Sequence, residues 1–245
     1  MAGDPVYTHV FNGVHLLFPR MERMMIKVVA GARAGCTDPA LDAQARAFIQ
    51  QEARHAHQHG LFLKQLESQG FDIDGVLARQ DRVMGLVERL PVPLALSIVA
   101  GGEHHTAMLG HGALCFDPLD GAPEGVRALL RWHAAEEIEH KAVAFDLLAH
   151  VAPGYGLRIL GLLGGTLMVG GLWAAASLSL LAQELRHSGP GVFLNRPRGL
   201  GRRLPPATEF AARIVDYLRP GFHPWDEDDA ERVAQWMAGL RSVGA

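Results

Sequence analysis

The sequence predicts an all-α fold, on three observations. Long stretches read as helix: residues 20–33, residues 39–69 with no internal Pro or Gly except Gly60, and the uncharged apolar run 159–182. Two Glu-x-x-His units, Glu52–His55 and Glu137–His140, have the i, i+3 spacing that stacks both side chains on one helical face. Four glutamates, Glu22, Glu52, Glu103 and Glu137, follow at intervals of 30 (22 to 52), 51 (52 to 103) and 34 (103 to 137) residues. Those intervals describe two hairpin-length connections flanking one long crossover. The order Glu, Glu-x-x-His, Glu, Glu-x-x-His therefore predicts a ferritin-like four-helix bundle with additional C-terminal helices.

At 245 residues the chain is long enough to bury a substantial core. The expected division is a dimetal-binding bundle over 1–155 and a helical extension over 156–245, both within one structural domain. Net charge is −3 with both signs interspersed and no Lys/Arg cluster before residue 196, so no nucleic-acid partner is expected. The two cysteines, Cys36 and Cys115, make no disulfide framework, and the N-terminus lacks a basic region followed by an apolar stretch and a cleavage site. A reducing cytoplasm is the expected compartment. Histidine, the commonest metal ligand, is abundant: of thirteen, eight stand at 55, 57, 59, 104, 105, 111, 133 and 140.

In chain order, residues 1–17 show no clear period and are expected to form an irregular or partly strand-like arm. A helix is expected to open at Pro19, since proline is tolerated in the first turn. Glu22 then lies among Phe18, Met25, Ile26 and Val29, where a carboxylate is costly unless it pairs with Arg20 or Arg23 or binds metal. Thr37-Asp38-Pro39 caps a long helix over 39–69, with Glu52, His55 and His59 on one face and His57 turned to the surface. Residues 70–92 predict a turn and a shorter helix with Val76, Leu77, Val83, Leu86 and Val87 on its apolar face. Pro91 and Pro93 open the next helix, which reaches Glu103. The small residues Ala100, Ala107 and Gly110 share the face of Glu103 and leave room there for something other than a side chain. After a turn at Asp117-Pro118-Leu119-Asp120-Gly121 comes the helix of the second Glu-x-x-His, expected to run to Pro153-Gly154.

In that helix His133, Glu137 and His140 fall within an arc of roughly 60° at ~100° per residue. Dimetal carboxylate bundles need two inward Glu-x-x-His units and one glutamate from each of two further helices. Glu22, Glu52–His55, Glu103 and Glu137–His140 supply those parts, and a dinuclear metal centre is predicted. His59 and Glu136 are candidates for contacts just behind the ligands. His104 and His105 flank Glu103 on other faces, within reach of neighbouring helices, and Glu139 points away with Asp146.

The run Trp132-His133-Ala134-Ala135-Glu136-Glu137-Ile138-Glu139-His140-Lys141, with Gln51-Glu52-Ala53-Arg54-His55 upstream, resembles a bacterial family catalogued as predicted metal-dependent hydrolases. The ligand pattern is also similar to ferritin-like dimetal oxygenases of the arylamine N-oxygenase type, whose His-x-x-x-Glu-x-x-His helix supplies one more histidine than a ferritin does. Carried over position by position, the resemblance implies Glu22, Glu52, His55, Glu103, His133, Glu137 and His140 as ligands. Met21 stands where the family has a small residue. Four carboxylates and three imidazoles without a thiolate suit two transition-metal ions, iron first, with manganese or zinc as alternatives. The expected chemistry is oxidation of a small hydrophobic substrate with O2 at a di-iron centre, which requires an electron donor. The alternatives are dinuclear hydrolysis through an activated water and, behind both, non-catalytic metal binding.

From Ile159 to Ala182, 24 residues carry no charge, a length that spans a bilayer. Gly161-x-x-x-Gly165 and Gly170-Gly171 permit close helix approach. A buried packing or homodimer helix is placed ahead of membrane insertion or surface association. Residues 188–206 form a Gly/Pro/Arg-rich connector whose Arg196, Arg198, Arg202 and Arg203 face anionic lipid or solvent. The last segment, 225–240, opens on Asp226-Glu227-Asp228-Asp229, suited to a helix N-terminus, and then packs Val233, Trp236 and Met237.

Overall fold

The computed structural model describes residues 4–116, 118–119, 121–194, 205–227, 229 and 233–234, and these contain helices, turns and connections with no strand among them. The fold is all-α, as expected. The run Arg196, Arg198, Arg202 and Arg203, and Asp228, Trp236 and Met237 of the final segment, lie outside the described residues.

The first helix corrects the expected irregular arm. α1 spans Pro5–Ala32: Asp4 caps it, accepting from the Tyr7 backbone N–H at 3.0 Å, and Pro5 occupies its first turn. Pro19 lies inside α1 rather than at its start, where it removes the bond to the His15 carbonyl. Packing overrides that loss, because Leu16, Leu17, Phe18 and Met21 are all buried around the proline. The period was hidden because the inward face of the first half also carries His9, Gly13 and His15.

α2 (Pro39–Ser68) starts where expected, with the Asp38 carboxylate accepting from the N–H groups of Ala40 and Leu41. α3 (Asp74–Val87) lies in the long crossover and buries Gln80, Met84 and Val87 while leaving Leu86 exposed. α4 is Val92–Cys115 and α5 is Glu124–His140. The helix of the second motif does not continue to Pro153: it stops at His140, turns at Lys141–Ala142 and resumes as α6 (Val143–Val151). At the break the buried Lys141 ammonium donates to the Glu227 carbonyl at 2.9 Å and to Asp229 Oδ2 at 3.2 Å, and the turn lays α6 against α2 and α4. α7 (Tyr155–Ser188), the short α8 (Gly191–Leu194) and α9 (Ala207–Tyr217) follow.

α1 pairs with α2 and α4 pairs with α5, so the four glutamate-bearing helices form two hairpins joined through α3. α7 packs on both α1 and α4, and its Met168, Val169 and Leu172 share one core with Leu17, Met21, Phe48, Leu96 and Val99. Gly161-x-x-x-Gly165 closes that contact within the chain. A Cβ on Gly161 would sit 2.1 Å from the Ser97 carbonyl oxygen, and one on Gly165 would sit 2.7 Å from the Gly101 carbonyl carbon. On the outer face of α7, Leu160, Leu163, Leu167, Leu178 and Leu185 are exposed. The helix is thus buried along one side only. By length and composition alone it is apolar enough to cross a membrane.

The two glycine pairs of α7 should respond in opposite senses. Gly161→Ala forces α4 and α7 apart and should cost about 1–3 kcal/mol. Gly170→Ala and Gly171→Ala meet nothing within 4 Å and should stabilise by about 0.5–1 kcal/mol each through helix propensity. Chemical denaturation midpoints of the three variants measure this.

Candidate metal centre

Each expected ligand comes from the inward stripe of its helix. Glu22 projects from α1, Glu52 and His55 from α2, Glu103 from α4, and His133, Glu137 and His140 from α5, and all seven are buried. Glu52, His55, Glu137 and His140 offer one ligand atom each within 4.8 Å of one another, and Glu22, His55 and His133 form a second such group. His55 belongs to both groups, and its Nδ1 lies 3.7 Å from Glu52 Oε1 and 3.4 Å from Glu137 Oε1. His140 Nε2 lies 3.1 Å from Glu52 Oε1, and His133 Nε2 lies 2.7 Å from Glu137 Oε1 and 3.9 Å from Glu22 Oε1. Glu103 belongs to neither group. It stands behind His140, its Oε2 accepting from His140 Nδ1 at 2.9 Å.

Whether these residues suit metal is decided by what they leave unsatisfied. Both carboxylate oxygens of Glu22 and of Glu52, Glu103 Oε1, Glu137 Oε2, His55 Nδ1 and His140 Nε2 are buried without a hydrogen-bond partner. A buried charge left so costs several kcal/mol. Arg20, the neighbour that might have paired with Glu22, instead binds Asp81 and Glu88. Oxygen and imidazole donors converging from four helices, with no thiolate, fit transition metals, and the site can bind two ions.

The protons of the metal-free site tell the same story. Burial, reinforced by the charge of Glu52, pushes Glu22 well above the usual carboxylate range, and burial raises Glu103 to about 8. Burial opposes charge on Glu137 too, but the His140 charge, the hydrogen bond from His133 and the nearby His55 imidazole outweigh it and hold that carboxyl well below its ordinary value. Burial likewise disfavours a charged His55, yet its hydrogen bond to Glu136 and the nearby carboxylates of Glu137 and Glu52 lift it to about 12. Burial opposes protonation of His140 as well, and the carboxylates of Glu103 and Glu137 overcome it and raise that imidazole well above its usual range. In the absence of metal His55 and His140 serve as the counter-charge.

Behind the ligands, each of two histidines has a partner for its far ring nitrogen. His55 Nε2 meets Glu136 Oε2 at 2.8 Å, so Glu136 faces the expected ligand His55 while its neighbour Glu137 enters the cluster. His133 Nδ1 meets His59 Nε2 at 2.7 Å, and His59 Nδ1 meets His15 Nδ1 at 2.9 Å. Without metal, His133 Nε2 donates to Glu137, so its Nδ1 accepts from His59 Nε2 and His59 Nδ1 accepts from His15. With a metal ion on His133 Nε2 the proton would sit on Nδ1 and the chain would reverse, His133 donating to His59 and His59 to His15. Burial keeps this chain neutral, lowering His59 well below its ordinary range and His15 to about 3. His15 escaped notice in the sequence because it fell in the supposed arm. Its signal was its place seven residues before Glu22, on the same face of a helix that passes through Pro19.

A cavity of about 360 Å³ opens beside this chain. Val10, Phe11, Phe18, Leu109, Leu130, Trp173 and Phe210 wall it, and His15, His133 and Glu137 form its polar end. The small face of α4 divides its work: Gly110 lines the cavity, while Ala100 and Ala107 are packed away from solvent.

A family model described as "Predicted metal-dependent hydrolase" matches residues 1–228. The chain belongs to this family. No curated protein and no solved structure gives a match.

In this member of the predicted metal-dependent hydrolase family two of the remaining histidines, His104 and His105, have structural partners. His104 Nε2 reaches the Arg213 carbonyl at 3.2 Å, His105 bridges the Gly101 carbonyl and the Thr166 hydroxyl, and His57 is exposed. Asp146 binds His223 at 2.8 Å rather than pairing with Glu139.

Metal must displace the protons that the free site holds, so loading should acidify the solution. At pH 7 His55, raised to about 12, and Glu103, raised to about 8, are both protonated before metal enters. Apparent metal affinity should therefore rise with pH across 6 to 8 and fall below it. Titration of apoprotein with Zn²⁺ in weakly buffered indicator reads the released protons directly. Metal uptake without proton release would contradict this protonation pattern.

Proposed function

We propose that this chain is a hydrolase that uses two metal ions to direct water onto an apolar substrate, an ester or amide with a hydrophobic body. Glu22, Glu52, His55, His133, Glu137 and His140 hold the ions in this reading, with Glu103 offering its unpartnered Oε1. The observation that carries it is the apolar cavity ending on His133 and Glu137, which brings a hydrophobic molecule to the inner edge of the carboxylate cluster. The family description points the same way. Bound there, two divalent ions would supply Lewis-acid polarisation and a water of lowered pKa.

The chain's own residues do the rest. Phe18, Leu109, Leu130 and Trp173 bind the apolar body and exclude bulk water from the reacting end. His59 holds the His133 ring in one tautomer and orientation, with the proton at Nδ1, and Glu136 does the same for His55.

Oxidation of a hydrophobic substrate with O2 at an iron pair is the second reading. The donor set favours it, four buried carboxylates and three imidazoles with no thiolate, as does a cavity with so few polar groups.

The Zn-loaded enzyme, assayed anaerobically on a nitrophenyl ester of a medium-chain fatty acid, separates the two. Hydrolysis is expected, falling in Glu137→Gln by more than the ~10–100-fold loss typical of changes behind the ligands. Absence of hydrolysis with every divalent metal, together with O2 consumption by the reduced iron form, would replace the hydrolytic reading by the oxidative one.

A further inference from the structure

A second cavity, of about 260 Å³, lies between α3 and α7 and shares no lining residue with the apolar one. Arg79 and Gln80 line it from α3, and Ser179 and Arg186 line it from α7. Gln80 is 1 % exposed, and neither its amide nitrogen nor its amide oxygen has a hydrogen-bond partner. A buried amide in that state costs about 1–3 kcal/mol, which an apolar side chain of similar size would avoid. The contrast is with Gln183 in the same wall: its Oε1 accepts from the Asp72 N–H at 2.7 Å and its Nε2 donates to the Asp72 carbonyl at 2.8 Å. Gln183 ties α7 to the start of α3; Gln80 is left over.

The charges of the wall are also unbalanced. Arg79 and Arg186 are exposed, and among the described residues neither makes an ion pair. Asp72, the acidic residue of this wall, accepts from the Asp74 N–H at 3.1 Å at the start of α3. Two guanidinium groups against one carboxylate leave the cavity with a net positive charge.

We propose that this cavity binds the phosphate group of a phosphate ester. Two guanidinium forks, an amide and a hydroxyl offer donors from both helices, which suits a tetrahedral oxyanion with acceptors on every side better than a planar carboxylate. The volume exceeds that of the anion alone and leaves space for the esterified body. Leu178 and Leu185, each one residue before a lining residue of α7, are exposed and begin the apolar outer face of that helix. The same phosphate chemistry can therefore come from a free ester or from a phospholipid headgroup presented at a membrane surface.

Calorimetric titration of the full-length, metal-loaded protein with glycerol 3-phosphate tests this, beside flotation with phosphatidylcholine vesicles with and without phosphatidic acid. Saturable binding is expected, weakened at least tenfold in the Arg79→Ala/Arg186→Ala double variant and in Gln80→Leu. The Tm of ligand-free Gln80→Leu should be no lower than that of the parent, since the variant removes an unsatisfied amide. Arginine-dependent binding of the soluble ester alone assigns a free ester; arginine-dependent flotation with phosphatidic acid assigns a headgroup. Phosphate bound at the metal centre would persist unchanged in these variants. Binding of neither probe, or binding that the substitutions leave intact, overturns the proposal.

Discussion

Four carboxylates held out of water without a matching set of cationic side chains are the constraint on which this molecule turns. Among the described residues no arginine or lysine makes an ion pair with Glu22, Glu52 or Glu137; the groups that pair with them are imidazoles, drawn from α2 and α5. Uncompensated, each such carboxylate costs several kcal/mol, a large fraction of the stability of an ordinary domain. The protein tolerates them in the metal-free state by protonating His55, His140 and some of the carboxyls. Divalent ions replace those protons, and ligand binding of this kind adds to the stability of the fold.

The helices are arranged to keep that cluster dry and in register. The hairpins α1–α2 and α4–α5 bring the ligand stripes together, and α7 seals the opposite side of α1 and α4 through glycines that admit backbone-to-backbone approach. Three hydrogen-bonded imidazoles, His133, His59 and His15, carry the order of the cluster outward to the cavity wall, where Phe62 stacks on His15 with ring centroids 4.0 Å apart. C-terminal residues contribute as well. Phe210 of α9 completes the cavity, and Arg213 anchors that helix to Asp229, which also meets His111 and Lys141.

Much of this was legible in the residues because helical periodicity converts spacing into direction. Glu52 with His55, and His133 with Glu137 and His140, share faces by arithmetic alone, and the Asp38-Pro39 cap marks its helix start by chemistry that is local. Four features were not legible, each because it depends on tertiary packing. Pro19 looked like a beginning because the penalty for an interior proline is local, while the burial that offsets it is not. The break after His140 depends on Lys141 meeting residues more than eighty positions away. Periodicity also gives a face and not a depth: it put Glu103 toward the centre but did not show that it stands behind His140. Gly161 and Gly165 announced a close helix contact, and only the fold shows that the partner is α4.

The central claim is that the buried glutamates and histidines form one site for two ions, and metal stoichiometry tests it most directly. Apoprotein reloaded with Fe²⁺ or Zn²⁺ and freed of excess metal should retain close to two ions per chain, and Glu52→Ala and Glu137→Ala should each lower that number. Retention of one ion or fewer, unchanged in both variants, would contradict the account.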